Sequence, residues 1–170
     1  MSPHRTEPAA GYPPIARGPA DLPDRAAALA MSGMEFIEGL LSGRIPHPPI
    51  AGLMGYRLVR AEDGEVAVRA TPGTGHLNPM GGVHGGWYGT VLDTALGCAV
   101  MTRVPRGHWY VTLEYKVNLT RAVPPGFEVE TVSRVQHAGR STGVAEAVMR
   151  GVADGRVYAT GSTTCLIQPG

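Results

Sequence analysis

The stretch from His76 to Cys98, HLNPMGGVHGGWYGTVLDTALGC, holds the residue types whose spacing could do chemistry. A glycine-rich turn over Gly82–Gly86 runs into a segment where Trp87, Val91, Leu92, Ala95, Leu96, Ala99 and Val100 recur at helical spacing. A helix start offers unpaired N–H groups and the favourable end of the dipole, and glycine permits close approach. Such a donor suits an oxygen that becomes negative during attack on a carbonyl. Asp93 lies in the middle of the same helix, where a charge is costly without a partner or a task. It could serve as nucleophile or as general base. The plainer alternatives are a tight turn for the glycines and a structural carboxylate for Asp93.

Gly85 and Asp93 are eight residues apart, about 12 Å along a helix rising 1.5 Å per residue. The two groups of one chain therefore cannot grip the same carbonyl. A site using both needs a second copy of the helix, adjacent and antiparallel. Gly86, Gly89, Asp93 and Gly97 also form a narrow face of small residues, open to a backbone or a slim ligand.

The other candidates are weaker singly. His84 at the helix start either acts in the chemistry or hydrogen-bonds backbone. His76 and His108 fall in loops. Thr112 lies on a strand out of phase with Val111 and Leu113 and either holds water or the carboxylate or is an ordinary strand residue. Arg121, Arg140 and Arg150 are candidates for phosphate contacts, with Arg140 in a GRS turn where amides can converge on an anion. Trp87, Tyr88 and Met54 either line a pocket or fill the core. No metal-ligand spacing and no Gly-x-Ser-x-Gly elbow occurs, so no metal is assigned.

The elements that must position these residues follow from the pattern. A chain of 170 residues with a formal net charge of +1 fits one sizeable core and carries no basic patch for nucleic acid. Cys98 and Cys165 read as buried free thiols, which suits a reducing, cytoplasmic compartment. Neither a signal peptide nor a membrane span is evident. Residues 1–23 read as a mobile arm rich in Pro and Gly. Residues 24–50 read as a helical extension broken near Ser32–Gly33, then a Pro-rich connector over Ile45–Pro49 that either covers a pocket mouth or simply links. From residue 51 to 170 the pattern is one domain. It opens with a hairpin turning at Asp63–Gly64, continues through the central helix, and ends in strands over Trp109–Leu119, Phe127–His137, Ser141–Arg150 and Arg156–Ile167. In the first of these, Val111, Leu113, Tyr115 and Val117 are expected to face one way. A curved antiparallel sheet of five to six strands wrapped around the helix, an α+β fold, buries both faces most simply. A free sheet edge favours pairing with a second copy.

Over roughly Pro46 to Ile167 the chain resembles the hotdog-fold acyl-CoA thioesterases of the PaaI type, which include the 4-hydroxybenzoyl-CoA thioesterases. The resemblance rests on Asn78, Gly81, His84, Gly85, Gly86 and Asp93 in the family's spacing, with Thr112 and Arg140 at further matching positions. It implies two protomers joining their sheets, often with dimers pairing into tetramers, and an active site between protomers. It implies that the Gly85 N–H polarises the thioester carbonyl, that Asp93 of the opposite protomer attacks or activates water, and that Asn78 places water or the carboxylate. It implies that His84 shapes the turn. Gly86, Trp87, Tyr88, Met54, Arg121, Arg140 and Ser141 are the expected substrate contacts. Coenzyme A would be part of the substrate, with no separate cofactor. The acyl group would be a small aromatic or a short to medium chain. The alternative is a non-catalytic hotdog protein that binds acyl-CoA or another small ligand. A hotdog dehydratase is disfavoured because Cys98, not His, stands five residues after Asp93.

Overall fold

The computed structural model describes residues 13–170. The first half of the expected arm, residues 1–12, lies outside the described residues. From Pro13 onward the chain lies against the connector: His47 N–H donates to the Pro14 carbonyl at 2.7 Å and Ala16 N–H to the His47 carbonyl at 2.8 Å.

Two short helices follow, α1 (Arg25–Leu29) and α2 (Gly33–Leu41). Asp24 caps the first through Ala27 N–H. Ser32 and Glu35 form a reciprocal capping box at the start of the second, which is why the Ala-rich run breaks there. The connector is shorter than expected. Pro49 does not extend it but opens α3 (Pro49–Met54), a first-turn position where a missing N–H has no intrahelical partner to lose. Gly55, at φ +66°, ends α3 in the left-handed region.

The hairpin is β1 (Tyr56–Glu62) and β2 (Glu65–Ala70), turning at Asp63–Gly64. The central helix, α4 (Gly85–Met101), starts at Gly85, two residues before the apolar pattern begins. Four long strands follow: β3 (His108–Leu119), β4 (Val129–Ala138), β5 (Thr142–Gly151) and β6 (Val157–Pro169). All pairings are antiparallel, in a six-stranded sheet of order β1-β2-β4-β5-β6-β3. Every strand from β2 to β6 touches α4, so the sheet curves around it in the hotdog arrangement. Val91, Leu92, Ala95, Leu96, Ala99 and Val100 are fully buried in that wrap. Among the described residues no helix is long and apolar enough to cross a membrane.

One expectation fails on β3. The register against β6 slips between Thr112 and Glu114, so Leu113 is an extra, bulged residue. The bulge reverses the alternation. Val111 and Leu113 remain exposed on the outer side, while Tyr115 falls on the same side as Tyr110 and Thr112, against α4. The four residues Val111, Leu113, Tyr115 and Val117 therefore do not share a face.

Candidate active site

The start of α4 is built by side chains from the loop before it. His84 caps the helix, its Nδ1 accepting the Gly86 N–H at 2.9 Å. Its own N–H donates to the His76 carbonyl at 2.8 Å, and its carbonyl accepts the Trp87 N–H at 3.0 Å. With Nδ1 committed as an acceptor, the neutral ring carries its proton on Nε2. His84 therefore shapes the turn, and Gly86 N–H is already used. Gly85 N–H, one residue earlier, has no acceptor among the described residues.

Asn78 ties the same loop. Its Oδ1 accepts N–H groups from Met80 at 2.9 Å and Gly82 at 3.1 Å, and its backbone N–H donates to the Gly82 carbonyl at 2.7 Å. His76 fastens the loop to α3: Nδ1 accepts the Gly73 N–H and Nε2 faces the Leu53 carbonyl, each at 2.8 Å. The sequence places His76 in a loop and gives no sign of this tie.

Asp93 is half-buried on the side of α4 that β3 covers. The Thr112 hydroxyl donates to its Oδ1 at 3.2 Å. Burial raises the Asp93 pKa above the ordinary carboxylate value, and the Thr112 hydrogen bond opposes that rise. The flanking small residues of the helix take the tyrosines of the same strand. A Cβ at Gly89 would lie 3.2 Å from the Tyr115 hydroxyl, and one at Gly97 would lie 2.9 Å from ring carbons of Tyr110. The slim objects that approach this face are two phenol rings, with Asp93 and Thr112 between them.

Asp93 also lies on the wall of a cavity of ≈ 570 Å³. Thr94 and Cys98 of α4 continue that wall, Tyr56 and Leu58 enter from β1, and Trp109 and Tyr110 from β3. Burial pushes the Tyr56 hydroxyl up to about 12, so this phenol stays protonated across the neutral range. Phe36 and Leu40 of α2, with Ile45, Pro46 and Pro48 of the connector, close the far side. The spacing of Phe36 and Leu40 in the sequence marks a helix and gives no sign that the helix faces a cavity.

Several expected contacts stand elsewhere in the protomer. Trp87 and Tyr88 are core residues and do not line this cavity. They lie six and five positions before Asp93, which rotates them by about 120° and 140° from it at 100° per residue. The Trp87 indole N–H donates to the Met54 carbonyl at 2.9 Å, and the Tyr88 hydroxyl accepts the Val123 N–H at 2.6 Å. Arg121 is exposed, its guanidinium 5.9 Å from the Tyr158 ring centre. Arg140 and Ser141 are exposed in the turn from β4 to β5. Gly85 and Gly86, one helix tip away, do not reach the cavity either.

A wrapped helix with a spare N–H at its tip and a carboxylate at its middle is the arrangement in which sequence comparison becomes decisive. The sequence profile of the thioesterase superfamily matches residues 80–158, which span both groups. The chain belongs to the thioesterase superfamily. This thioesterase is a thioester hydrolase. It is similar to a conserved protein from Pseudomonas aeruginosa at 35% identity, over 70% of this chain and 93% of the other, with a TM-score of 0.65. It is similar to a phenylacetic acid degradation-related protein from Ralstonia eutropha JMP134 at 25% identity, over 77% and 98% of the two chains, with a TM-score of 0.71. A third likeness is to a hypothetical thioesterase protein with coenzyme A from Streptococcus pneumoniae, at 25% identity over 68% and 87%, with a TM-score of 0.61. That protein has also been solved with an aspartate, and separately a threonine, replaced by alanine. No curated protein matches the sequence.

Proposed function

We propose that this thioesterase hydrolyses an acyl-CoA, carrying a small aromatic or a short to medium acyl chain, to the free acid and CoA-SH. The observation that carries the proposal is Asp93: a half-buried carboxylate, held by Thr112, on the wall of a mainly apolar cavity. A thioester carbonyl placed beside it would be attacked by the carboxylate itself or by a water that the carboxylate deprotonates. Coenzyme A in the Streptococcus pneumoniae relative supports the thiol half of the substrate. The pairing of aspartate and threonine chosen for replacement in that relative matches the residue types paired here.

The oxyanion is assigned to the Gly85 N–H of a second copy, because within one chain this donor is about 12 Å along the helix from Asp93. The free edge strand β3 supports such a pairing, with Val111, Leu113, Tyr115 and Leu119 exposed along it. Dimers then pair further through the remaining sheet surface. Asn78, its Oδ1 engaged in the loop, retains Nδ2 as a donor toward water or substrate at that same tip. Arg121, and Arg140 with Ser141 beside it in the turn from β4 to β5, are assigned to the CoA phosphates. The two unpaired thiols, Cys98 and Cys165, suit a cytoplasmic setting.

Subunit complementation tests this reading. Asp93→Asn and Gly85→Pro proteins are prepared separately and then refolded together. Each alone loses thiol release from acyl-CoA, while the mixture recovers activity, because half of the sites in a hybrid dimer carry both intact groups. A mixture as inactive as its parents overturns the shared site. Retained acyl-CoA binding by Asp93→Asn together with an inactive wild type would instead favour the binding-protein alternative.

A further inference from the structure

We infer that the segment from Leu22 to Pro48 is the roof of the acyl chamber and sets which acyl groups this thioesterase accepts. The inference rests on the acyl-CoA reading above. The superfamily match begins at residue 80, so the roof is contributed by a part of the chain outside the matched region.

The sheet has two edge strands, β1 and β3. Side chains from both enter the cavity beside the Asp93 face of α4, which places the cavity at the seam the curved sheet leaves open. The N-terminal extension closes that seam. Leu22, Ala28, Phe36, Leu40, Ile45 and Pro46 form an apolar ceiling opposite Asp93, Thr94 and Cys98. The half-open, mainly apolar cavity of ≈ 570 Å³, whose lining also includes Arg25, falls within the range of roughly 300–1,000 Å³ typical of small-molecule sites. A hydrocarbon or aryl group gains by entering it, whereas the charged nucleotide end of coenzyme A would lose its hydration there.

The ceiling is fixed at several points along its length. Gly33 N–H donates to the Val104 carbonyl at 2.9 Å, and Glu35 pairs with Arg106 at 2.8 Å. Phe36 meets Trp109 edge-to-face with ring centres 5.1 Å apart, joining the roof to β3. Farther along, the His47 backbone bonds to Pro14 and Ala16. A roof held this way has a defined height above Asp93, so the side chains on its underside limit the size of the acyl group.

The experiment compares wild type with two opposite changes in the roof, Ala28→Phe and Leu22→Ala, on straight-chain acyl-CoAs from acetyl to palmitoyl and on benzoyl-CoA and phenylacetyl-CoA. Thiol release gives kcat/KM, and circular dichroism confirms the fold of each variant. Filling the chamber with Ala28→Phe lowers the ratio of kcat/KM for the best wild-type substrate to that for the next shorter one by at least tenfold. Opening it with Leu22→Ala moves the optimum toward longer chains. If Ala28→Phe fails to fold, Leu22→Ala decides alone. Folded variants with the wild-type order of preference overturn the roof assignment while leaving the acyl-CoA reading intact. A folded wild type that releases thiol from no member of the panel overturns both.

Discussion

Thr112 Oγ1 donates to Asp93 Oδ1 at 3.2 Å, joining the edge strand β3 to the middle of the central helix at its one acidic residue. The contact sits between the Tyr110–Gly97 and Tyr115–Gly89 approaches, so strand and helix meet at three successive levels. The bulge at Leu113 makes this possible. Unbulged alternation of the same residues would turn Tyr115 outward and bring Glu114 toward α4 in its place.

Removing that hydroxyl tests its role as a positioning group. A hydrogen bond to a charged group contributes about 1.5–3 kcal/mol, so Thr112→Val should lower kcat by roughly one to two orders of magnitude. The bond also holds the Asp93 pKa down against burial. The acidic limb of the pH–rate profile should therefore move to higher pH in Thr112→Val and return in Thr112→Ser. A reduced kcat with an unmoved limb would mean that Thr112 acts only through packing.

Asp93 opposes stability at neutral pH. Its folded-state pKa is raised above the ordinary 3.8 by burial, so the native protein holds this proton more tightly than the unfolded chain. The resulting stabilisation is complete below the unfolded pKa and is lost as pH rises through the native one. Asp93→Asn removes the cost of the buried charge. It should abolish turnover and raise Tm at pH 7, with a smaller gain at pH 4. Thermal scans at both values decide this, and an equal gain at both would assign the effect to something other than ionisation.

His47 works in the opposite direction. It is buried in the connector, neither ring nitrogen has a hydrogen-bond partner among the described residues, and burial lowers its pKa below 6.5. The unfolded chain then binds the proton more tightly. Stability is fully present above 6.5 and is lost as pH falls through the native value. Urea midpoints of the wild type should decline on acidification below about pH 6.5, and His47→Phe should flatten that decline. The same slope in the variant would exclude His47 as its source.

Gly97→Ala sets two effects against each other. Alanine is favoured over glycine inside a helix by roughly 0.5–1 kcal/mol. The added Cβ, however, would lie 2.9 Å from carbons of the Tyr110 ring, which is itself packed between α4 and the cavity. Overpacking typically costs about 1–3 kcal/mol, so the clash should win and the urea midpoint should fall. Gly73→Ala, with nothing within 4 Å of the new atom, is the matched control. A Gly97→Ala protein as stable as wild type would show that Tyr110 can move aside.

Gly85→Pro isolates the spare N–H. Residue 85 is the first of α4, and His84 already has extended dihedrals, φ −65° and ψ 139°, which suit a following proline. The fold should survive, while loss of an oxyanion donor lowers kcat by about 10²–10³. Thiol-release kinetics beside an unchanged circular dichroism spectrum would show this. A fully active proline variant would remove Gly85 from the chemistry.

The sequence by itself determined the helix, its glycine-rich start, the carboxylate at its centre and the succession of strands. These follow from local rules: apolar period, turn residues and the preference of glycine for strained or crowded backbone. The spacing of Gly85 and Asp93 was equally legible, because helical rise converts residue count directly into distance. Only the tertiary structure decided what surrounds Asp93. Alternation along a strand is a period of two, and one bulged residue at Leu113 resets it without any signal in residue type. Phe36 and Leu40 read only as turns of a helix, and the connector as either a pocket cover or a linker, because burial looks the same whether the far side is protein or cavity. Trp87 and Tyr88 went the other way, into the core, because the sheet wraps the face of α4 on which they fall. Which side of a helix stays open is fixed by where the sheet's edges stop, and that depends on contacts between segments far apart in the chain.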